Sequence, residues 1–213
     1  MKRWATFDCY GTLIDWNAGI GRELERLFGA ARAGELLHAY RELEPQIQRE
    51  DQTRSYRQVM AIVLARLGAP ADEQDALARS LPDWAPFPEV PPALEDARAR
   101  GWKLAVLSNT DRDLLDASLA RIAVPVELSI VASEIGSYKP SRGHWDEFFA
   151  RSGADRERHV HVGASLFHDI APAAALGLRT VWVNRLGEEP EPQPDVELHS
   201  LGGLSDALDS LVA

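Results

Sequence analysis

Cysteine is nearly absent from this 213-residue chain. Cys9 stands alone, which excludes an internal disulfide framework and a multi-cysteine metal site. Long apolar runs are missing too. No stretch approaches the roughly 20 residues that span a bilayer, and the first residues form no signal-like segment, so a cytoplasmic protein with no membrane attachment is expected. Basic residues are outnumbered, 23 Lys and Arg against 33 Asp and Glu, for a formal charge of −10. Binding nucleic acid needs a basic face that displaces counterions, so that partner is excluded. A small anionic substrate would instead be drawn in by a few local cations. What remains is ordinary for a globular protein, 45% hydrophobic and 26% charged. The length suits one large domain or a core with an insertion.

The chain changes rhythm twice. Arg3 to Phe7 reads as a short buried strand ending at Asp8. From about Asn17 to Leu67 apolar residues recur at helical spacing: Ile20, Leu24 and Leu27, then Leu36, Leu37, Tyr40 and Leu43, then Val59, Ile62, Val63 and Leu67. Gly68-Ala69-Pro70 stops this pattern, Asp72 to Leu81 predicts one more helix, and the proline-rich run from Pro82 to Pro92 reads as a hinge. Strands then alternate with helices. Strands are predicted at 103–107, 128–132, 159–162 and 180–183, and helices at 93–100, 111–122, 144–152 and 168–176. Glu188 to Pro194 reads as an acidic, proline-rich surface loop. Such alternation implies a parallel sheet, so the fold expected is α/β: a Rossmann-like parallel sheet core with helices on both faces and an inserted helical cap domain. The core would comprise 1–15 and 88–213, and the cap 16–87. A site in such a sheet lies beyond the carboxyl ends of its strands.

Four polar clusters fall at those ends: Asp8 with Thr12, Ser108-Asn109-Thr110, Lys139-Pro140, and Gly163-Ala164-Ser165 leading to Asp169. Singly, each has a bland reading as a helix cap, a turn residue or a solvated lysine. Their joint order and placement favour a site. With these motifs the chain resembles the haloacid dehalogenase superfamily over nearly its whole length. Phe7-Asp8-Cys9-Tyr10-Gly11-Thr12-Leu13 is similar to its L-2-haloacid dehalogenase branch, as are Leu107-Ser108-Asn109, Tyr138-Lys139-Pro140 and Trp182-Val183-Asn184-Arg185. Phosphatases of the superfamily usually carry a second, acidic aspartate where Tyr10 stands, and a metal-binding aspartate where Ala164 stands. Both losses favour a metal-free, cofactor-free site, because Mg²⁺ depends on its few carboxylates.

The resemblance implies a hydrolase of short 2-haloacids. Asp8 would displace halide from the carbon beside the substrate carboxylate, and water would then open the resulting ester to a 2-hydroxy acid. Lys139 would hold Asp8 ionised by lowering its pKa. Asp169 would help activate the water, with helix capping as its competing role. Thr12 and Ser108 would bind the nucleophile or the substrate carboxylate, and Ser165 would assist unless it is only a turn serine. Arg41 on the cap and Asn109 would stabilise the departing halide. Cys9 and Tyr10, flanking the nucleophile, and Trp145, where the branch usually has tyrosine, would face the substrate. His168 would add an N–H donor suited to fluoride, or else be an ordinary residue of a helix N-terminus. The resemblance also implies a homodimer. Two other readings stay open: a Mg²⁺-dependent phosphatase acting on a small phosphomonoester, and a non-catalytic binding protein of the same fold.

Overall fold

The computed structural model describes residues 2–212. Among them, the strands β1 (Arg3–Phe7), β2 (Trp102–Ser108), β3 (Leu128–Val131), β4 (His159–Gly163), β5 (Arg179–Val183) and β6 (Val196–Leu198) form one sheet. Every pairing is parallel, in the order β3-β2-β1-β4-β5-β6. Alternate side chains sort to opposite faces, as a pleated strand requires. Ala5, Phe7, Leu104 and Val106 enter one apolar core, and Trp4, Ala105 and Leu107 enter another. Burial of both faces explains why these strands read as continuous apolar runs.

Between β1 and β2 the chain inserts α1 (Trp16–Phe28), α2 (Ala30–Glu50), α3 (Tyr56–Arg66) and α4 (Ala76–Ser80), before α5 (Val90–Ala99) rejoins the sheet. The expected single helix over Asp72–Leu81 is instead α4 flanked by two 3₁₀ turns, Ala71–Glu73 and Leu81–Asp83, the second carrying Pro82 near its start. The later helices are α6 (Arg112–Ile122), α7 (Ala132–Ile135), α8 (Gly143–Ser152), α9 (Ala171–Ala175) and α10 (Leu204–Leu211). Side chains of α5, α6 and α10 fill the first core, and those of α8 and α9 fill the second.

Specific hydrogen bonds fix how the inserted helices sit on the sheet. The outgoing and returning connections run side by side: Asp15 N–H donates to Ala85 C=O at 2.9 Å and Phe87 N–H to Leu13 C=O at 3.0 Å. Asp15 also caps α1, its carboxylate accepting from Ala18 N–H. Helix α3 starts with a reciprocal Ser55–Gln58 capping box. Its next two amides, of Tyr56 and Arg57, donate across to the Asp111 carboxylate at 2.9 and 3.1 Å. Asp111 stands before α6 but gives that helix no side-chain cap; its carboxylate ties α3 to the loop after β2. Gly19 lets α1 close on the returning connection, since a Cβ there would lie 2.4 Å from the Trp84 ring.

Near the site, the predicted helix over His168–Leu176 begins differently. Leu166–Ile170 is one wide π turn, in which both Asp169 and Ile170 N–H donate to Ser165 C=O, and α9 follows. Ser165 Oγ accepts from His168 N–H at 3.0 Å and holds the start of the turn. Wide turns of this kind re-aim side chains, here those of His168 and Asp169.

Candidate active site

The reversal of strand order beside β1 opens a crevice at the strand ends, where such sheets take ligands. Asp8 directly follows β1, and Ser108 ends β2. Asp8 stays in the ladder, its N–H donating to Val162 C=O at 3.0 Å, so its side chain leaves the sheet at the crevice. Lys139, from the loop between α7 and α8, reaches in with its ammonium. Its Nζ donates to Asp8 Oδ1 at 2.8 Å and to Asp169 Oδ1 at 2.6 Å. Thr12 Oγ1 donates to Asp8 Oδ2 at 2.9 Å and accepts from Ala164 N–H at 2.9 Å, tying the loop after β1 to the loop after β4. Glycine is required at the end of β4: a Cβ on Gly163 would lie 2.5 Å from that of Asp169.

Sharing one lysine between two carboxylates corrects the expectation for Asp8. Burial pushes its pKa up, and Lys139 only partly offsets this because nearby Asp169 adds repulsion; the result is about 6. Burial also raises Asp169, but Lys139 and His161 overcome it and hold that carboxyl well below the usual range. For Lys139, burial is outweighed by the two carboxylates, and its pKa moves up. Lys139 and Asp169 thus form the firm ion pair, while Asp8 is the carboxylate whose charge is least well held.

A buried relay backs Asp169 from under the sheet. His161 Nε2 lies 3.4 Å from Asp169 Oδ1, and Thr6 Oγ1 lies 2.8 Å from both His161 Nδ1 and His159 Nε2. Burial lowers the pKa of both histidines, so each is neutral. One assignment then satisfies the chain: His159 donates to Thr6, Thr6 donates to His161, and His161 donates to Asp169.

Above the cluster lies a cavity of about 470 Å³ lined by both the strand-end loops and the inserted helices. Asp8, Tyr10, Ser108, Asn109, Lys139 and Asp169 line it, together with Arg41, Ser165 and His168. Ser108 Oγ is buried without a protein partner, although its carbonyl accepts from His144 Nε2 at 3.0 Å. His168 pairs Nδ1 with Ser165 Oγ at 3.2 Å, while its Nε2 has no partner. Burial takes the His168 pKa down to about 4, so near neutrality the ring carries one N–H. Arg41 donates Nε and Nη2 to Asn17 Oδ1 at 3.2 and 2.7 Å.

Several expected contacts fall elsewhere. Asn109 lines the cavity, but its amide is committed: Oδ1 accepts from Lys139 N–H at 2.7 Å, and Nδ2 donates to Lys139 C=O at 3.0 Å and Gln48 Oε1 at 3.4 Å. It holds the lysine's backbone in place more than it offers a donor to halide. Tyr10 presents its ring to the cavity, while its hydroxyl pairs with Ser118 Oγ on α6 at 3.0 Å. Trp145 does not wall the pocket. It is fully buried in the second core, edge-on to His161 with centroids 5.1 Å apart, because the first turn of α8 faces the sheet. Cys9 is likewise buried in the first core rather than in the cavity, and burial pushes its thiol pKa up.

The inserted helices contribute groups that sequence reasoning passed over. Glu44 and Gln48 of α2 and Tyr56 of α3 line the cavity, and so does Arg185 after β5, the last residue of the Trp182-Val183-Asn184-Arg185 motif. Gln48 Nε2 donates to Glu44 Oε1 at 2.9 Å. The spacing Arg41, Glu44, Pro45, Gln48 is one helical face, so once Arg41 was chosen its neighbours at three and four residues were implicated as well. Arg185 is already engaged, donating to Glu89 Oε1 at 2.7 Å and to Thr12 C=O at 2.9 Å.

Fold and site together define the class, a capped parallel-sheet hydrolase built around a strand-end aspartate. The chain belongs to the haloacid dehalogenase-like hydrolases, the family that residues 2–177 match. An (S)-2-haloacid dehalogenase of Pseudomonas sp. strain YL is 30% identical over 208 residues, covering 92% of this chain and 89% of that one. A phosphoserine phosphatase of Thermus thermophilus is 33% identical, but over 54% of this chain and 48% of its own. Among solved structures, L-2-haloacid dehalogenase from Xanthobacter autotrophicus with chloropropionic acid covalently bound superimposes with a TM-score of 0.83. That likeness is one of fold, at 19% identity over 98% of this chain and 99% of the other.

Proposed function

We propose that the protein hydrolyses the carbon–halogen bond of short 2-haloalkanoic acids through an ester on Asp8, without a metal ion. The observation that carries this reading is the shared ammonium: Asp8 and Asp169 are both bonded to Lys139 at 2.8 and 2.6 Å, in a cavity that also holds Arg41. One carboxylate is then available to attack, and a cation is in place for the substrate's own carboxylate.

In the first step Asp8 displaces halide from C2, forming the C–O bond as the C–halogen bond breaks. Arg41, the unpartnered Ser108 hydroxyl and backbone N–H groups after Asp8 orient the substrate carboxylate, which converts a bimolecular encounter into a positioned one. The His168 Nε2, without a protein partner, supplies a donor to the departing halide. Preorganised donors of this kind contribute about 2.7–4 kcal/mol each. In the second step water attacks the ester's carboxyl carbon, and Asp169 takes one of its protons and passes it to the departing alkoxide. The 2-hydroxy acid leaves while Asp8 gives up the water's other proton to solvent and is regenerated as a carboxylate. Lys139 stabilises the oxyanion formed on Asp8 during that attack.

Two features support the reading without magnesium: Lys139 already engages both strand-end carboxylates, and Ala164 offers no side-chain oxygen. A phosphatase would also need a proton donor for its leaving group, and the Tyr10 hydroxyl is turned toward Ser118. The test is halide release from chloroacetate, fluoroacetate and both enantiomers of 2-chloropropionate, with and without EDTA. Release that EDTA does not reduce is expected. No release from any of them, together with Mg²⁺-dependent phosphate release from small phosphomonoesters, would replace this reading with the phosphatase.

A further inference from the structure

An acidic residue in a cavity meant for an anion needs a physical account, and Glu44 is one. It sits on the same face of α2 as Arg41, one turn away, and both line the cavity. The Asp8–Lys139–Asp169 cluster below already carries one net negative charge when ionised. Arg185 is neutralised by Glu89 at 2.7 Å, leaving Arg41 as the cation paired only to a neutral group, Asn17. An ionised Glu44 would cancel it. The aromatic groups around Glu44 bring no charge to compensate: burial pushes the hydroxyls of Tyr40, Tyr56 and Tyr138 up, and they stay neutral.

We propose that Glu44 is the charge selector of the cavity: an anionic substrate is admitted to the form in which this carboxyl carries its proton. The proposal rests on the dehalogenase reading for the identity of the anion, and on the cavity's geometry for the effect. Burial raises the Glu44 pKa to about 7, with Asp8 adding to the rise and the nearby Tyr56 hydroxyl and Gln48 opposing it. Both forms are therefore populated near neutrality. Protonation removes the repulsion of the bound anion and leaves Glu44 with an O–H to donate. Gln48 fixes the carboxyl by donating to Oε1 at 2.9 Å, and is itself hydrogen-bonded to Asn109 at 3.4 Å. Linkage works both ways: a bound carboxylate raises the affinity of Glu44 for its proton. Neutral ligands of the same shape would show no such coupling, so the residue sorts ligands by charge.

Asp8 also titrates near neutrality, so the test is made in the Asp8→Asn protein. Binding of propionate, a small carboxylate with no halogen to lose, is followed through tryptophan fluorescence, since Trp16 lines the cavity. Propionate binding is expected to weaken on the order of tenfold from pH about 6 to about 8. Glu44→Gln in that background should flatten the dependence. Tyr56→Phe should move its midpoint to higher pH, because the Tyr56 hydroxyl holds the Glu44 pKa down. Thermal unfolding of each variant checks that the fold is retained. A slope that survives Glu44→Gln, or no slope in the parent, would overturn the proposal. If the Glu44-dependent slope appears but no haloacid loses halide, the dehalogenase reading falls and the charge selector stands; halide release without the slope gives the reverse.

Discussion

Asp8→Asn abolishes halide release, lowering kcat by about 10⁴-fold or more, the scale seen when a nucleophile is deleted from a preorganised site. An amide nitrogen or oxygen cannot displace halide from C2, so the covalent route closes while the shape of the site is kept. The amide oxygen can still accept from Lys139 Nζ, as Asp8 Oδ1 does, while the amide N–H turns to the Thr12 hydroxyl, which can accept as well as donate. Stability should not fall, because the substitution removes a charge whose ionisation the site disfavours. Lys139 and Asp169 remain as a neutral pair at 2.6 Å. In the parent enzyme the same residue sets the acid side of the pH profile. Only ionised Asp8 attacks, so kcat/KM should fall as the pH drops through about 6, the value to which burial raises its pKa. The check is halide release across that range, with thermal unfolding of the variant alongside.

Lys139→Met is expected to cost both activity and stability. The ammonium is almost entirely buried and bonds two carboxylates. Removing one partner of a buried ion pair typically costs about 3–5 kcal/mol, because the remaining charge stays buried and unpaired. The pH dependence gives the sign. In the parent, the folded-state pKa of Asp169 is depressed, so its contribution is present above the unfolded carboxylate value and is lost as pH falls through the folded one. In the variant both carboxyls lose their cation, burial raises their pKa values, and keeping them ionised opposes folding at neutral pH. The stability deficit should thus be largest near neutrality and shrink as acid protonates them. Denaturant unfolding of both proteins at pH about 7 and about 5 measures this. Equal deficits at the two values would mean that Lys139 acts through packing alone.

The contrast between these two variants reflects which parts of the molecule could be read in the chain. Asp8, Ser108 and the Gly163-Ala164-Ser165 run each follow an apolar strand directly, and a parallel sheet aligns all its strand ends on one edge. Their convergence therefore follows from topology, and the observed distances bring Thr12, Lys139 and Asp169 to the same point. The strands β1 to β5 were legible for the same reason: buried runs are continuous and end in polar residues. Strand β6 has three residues behind an acidic, proline-rich loop, too short for a period to register, and α10 beyond it went unread. The wide turn at Leu166–Ile170 depends on Ser165 accepting two backbone amides, which no spacing rule signals.

The misplaced contacts share a physical cause. Trp145 was placed by counting residues from Lys139, yet α8 begins at Gly143 and turns that side chain under the sheet. Asn109 was read as a free donor, whereas its amide is used up in bracing the backbone of Lys139. Glu44 and Gln48 escaped notice although Arg41 marks the face of α2 that they share; how closely that face meets the cavity is decided by docking. That docking depends on contacts far apart in sequence, such as Asp111 with the first amides of α3. The direction of the Asp8 pKa was missed because the depth of burial, which raises it most, is set by the folded packing, and the shared Lys139 offsets it only in part.

The central claim is that Asp8 carries the substrate as an ester, and oxygen labelling tests it most directly. With enzyme in excess over 2-chloropropionate in H₂¹⁸O, a single turnover should place ¹⁸O in the peptide that bears Asp8. The hydroxyl oxygen of the released lactate would come from the aspartate and be unlabelled. Label in the lactate hydroxyl, with the Asp8 peptide unchanged in mass, would mean that water attacks C2 itself and would contradict the account.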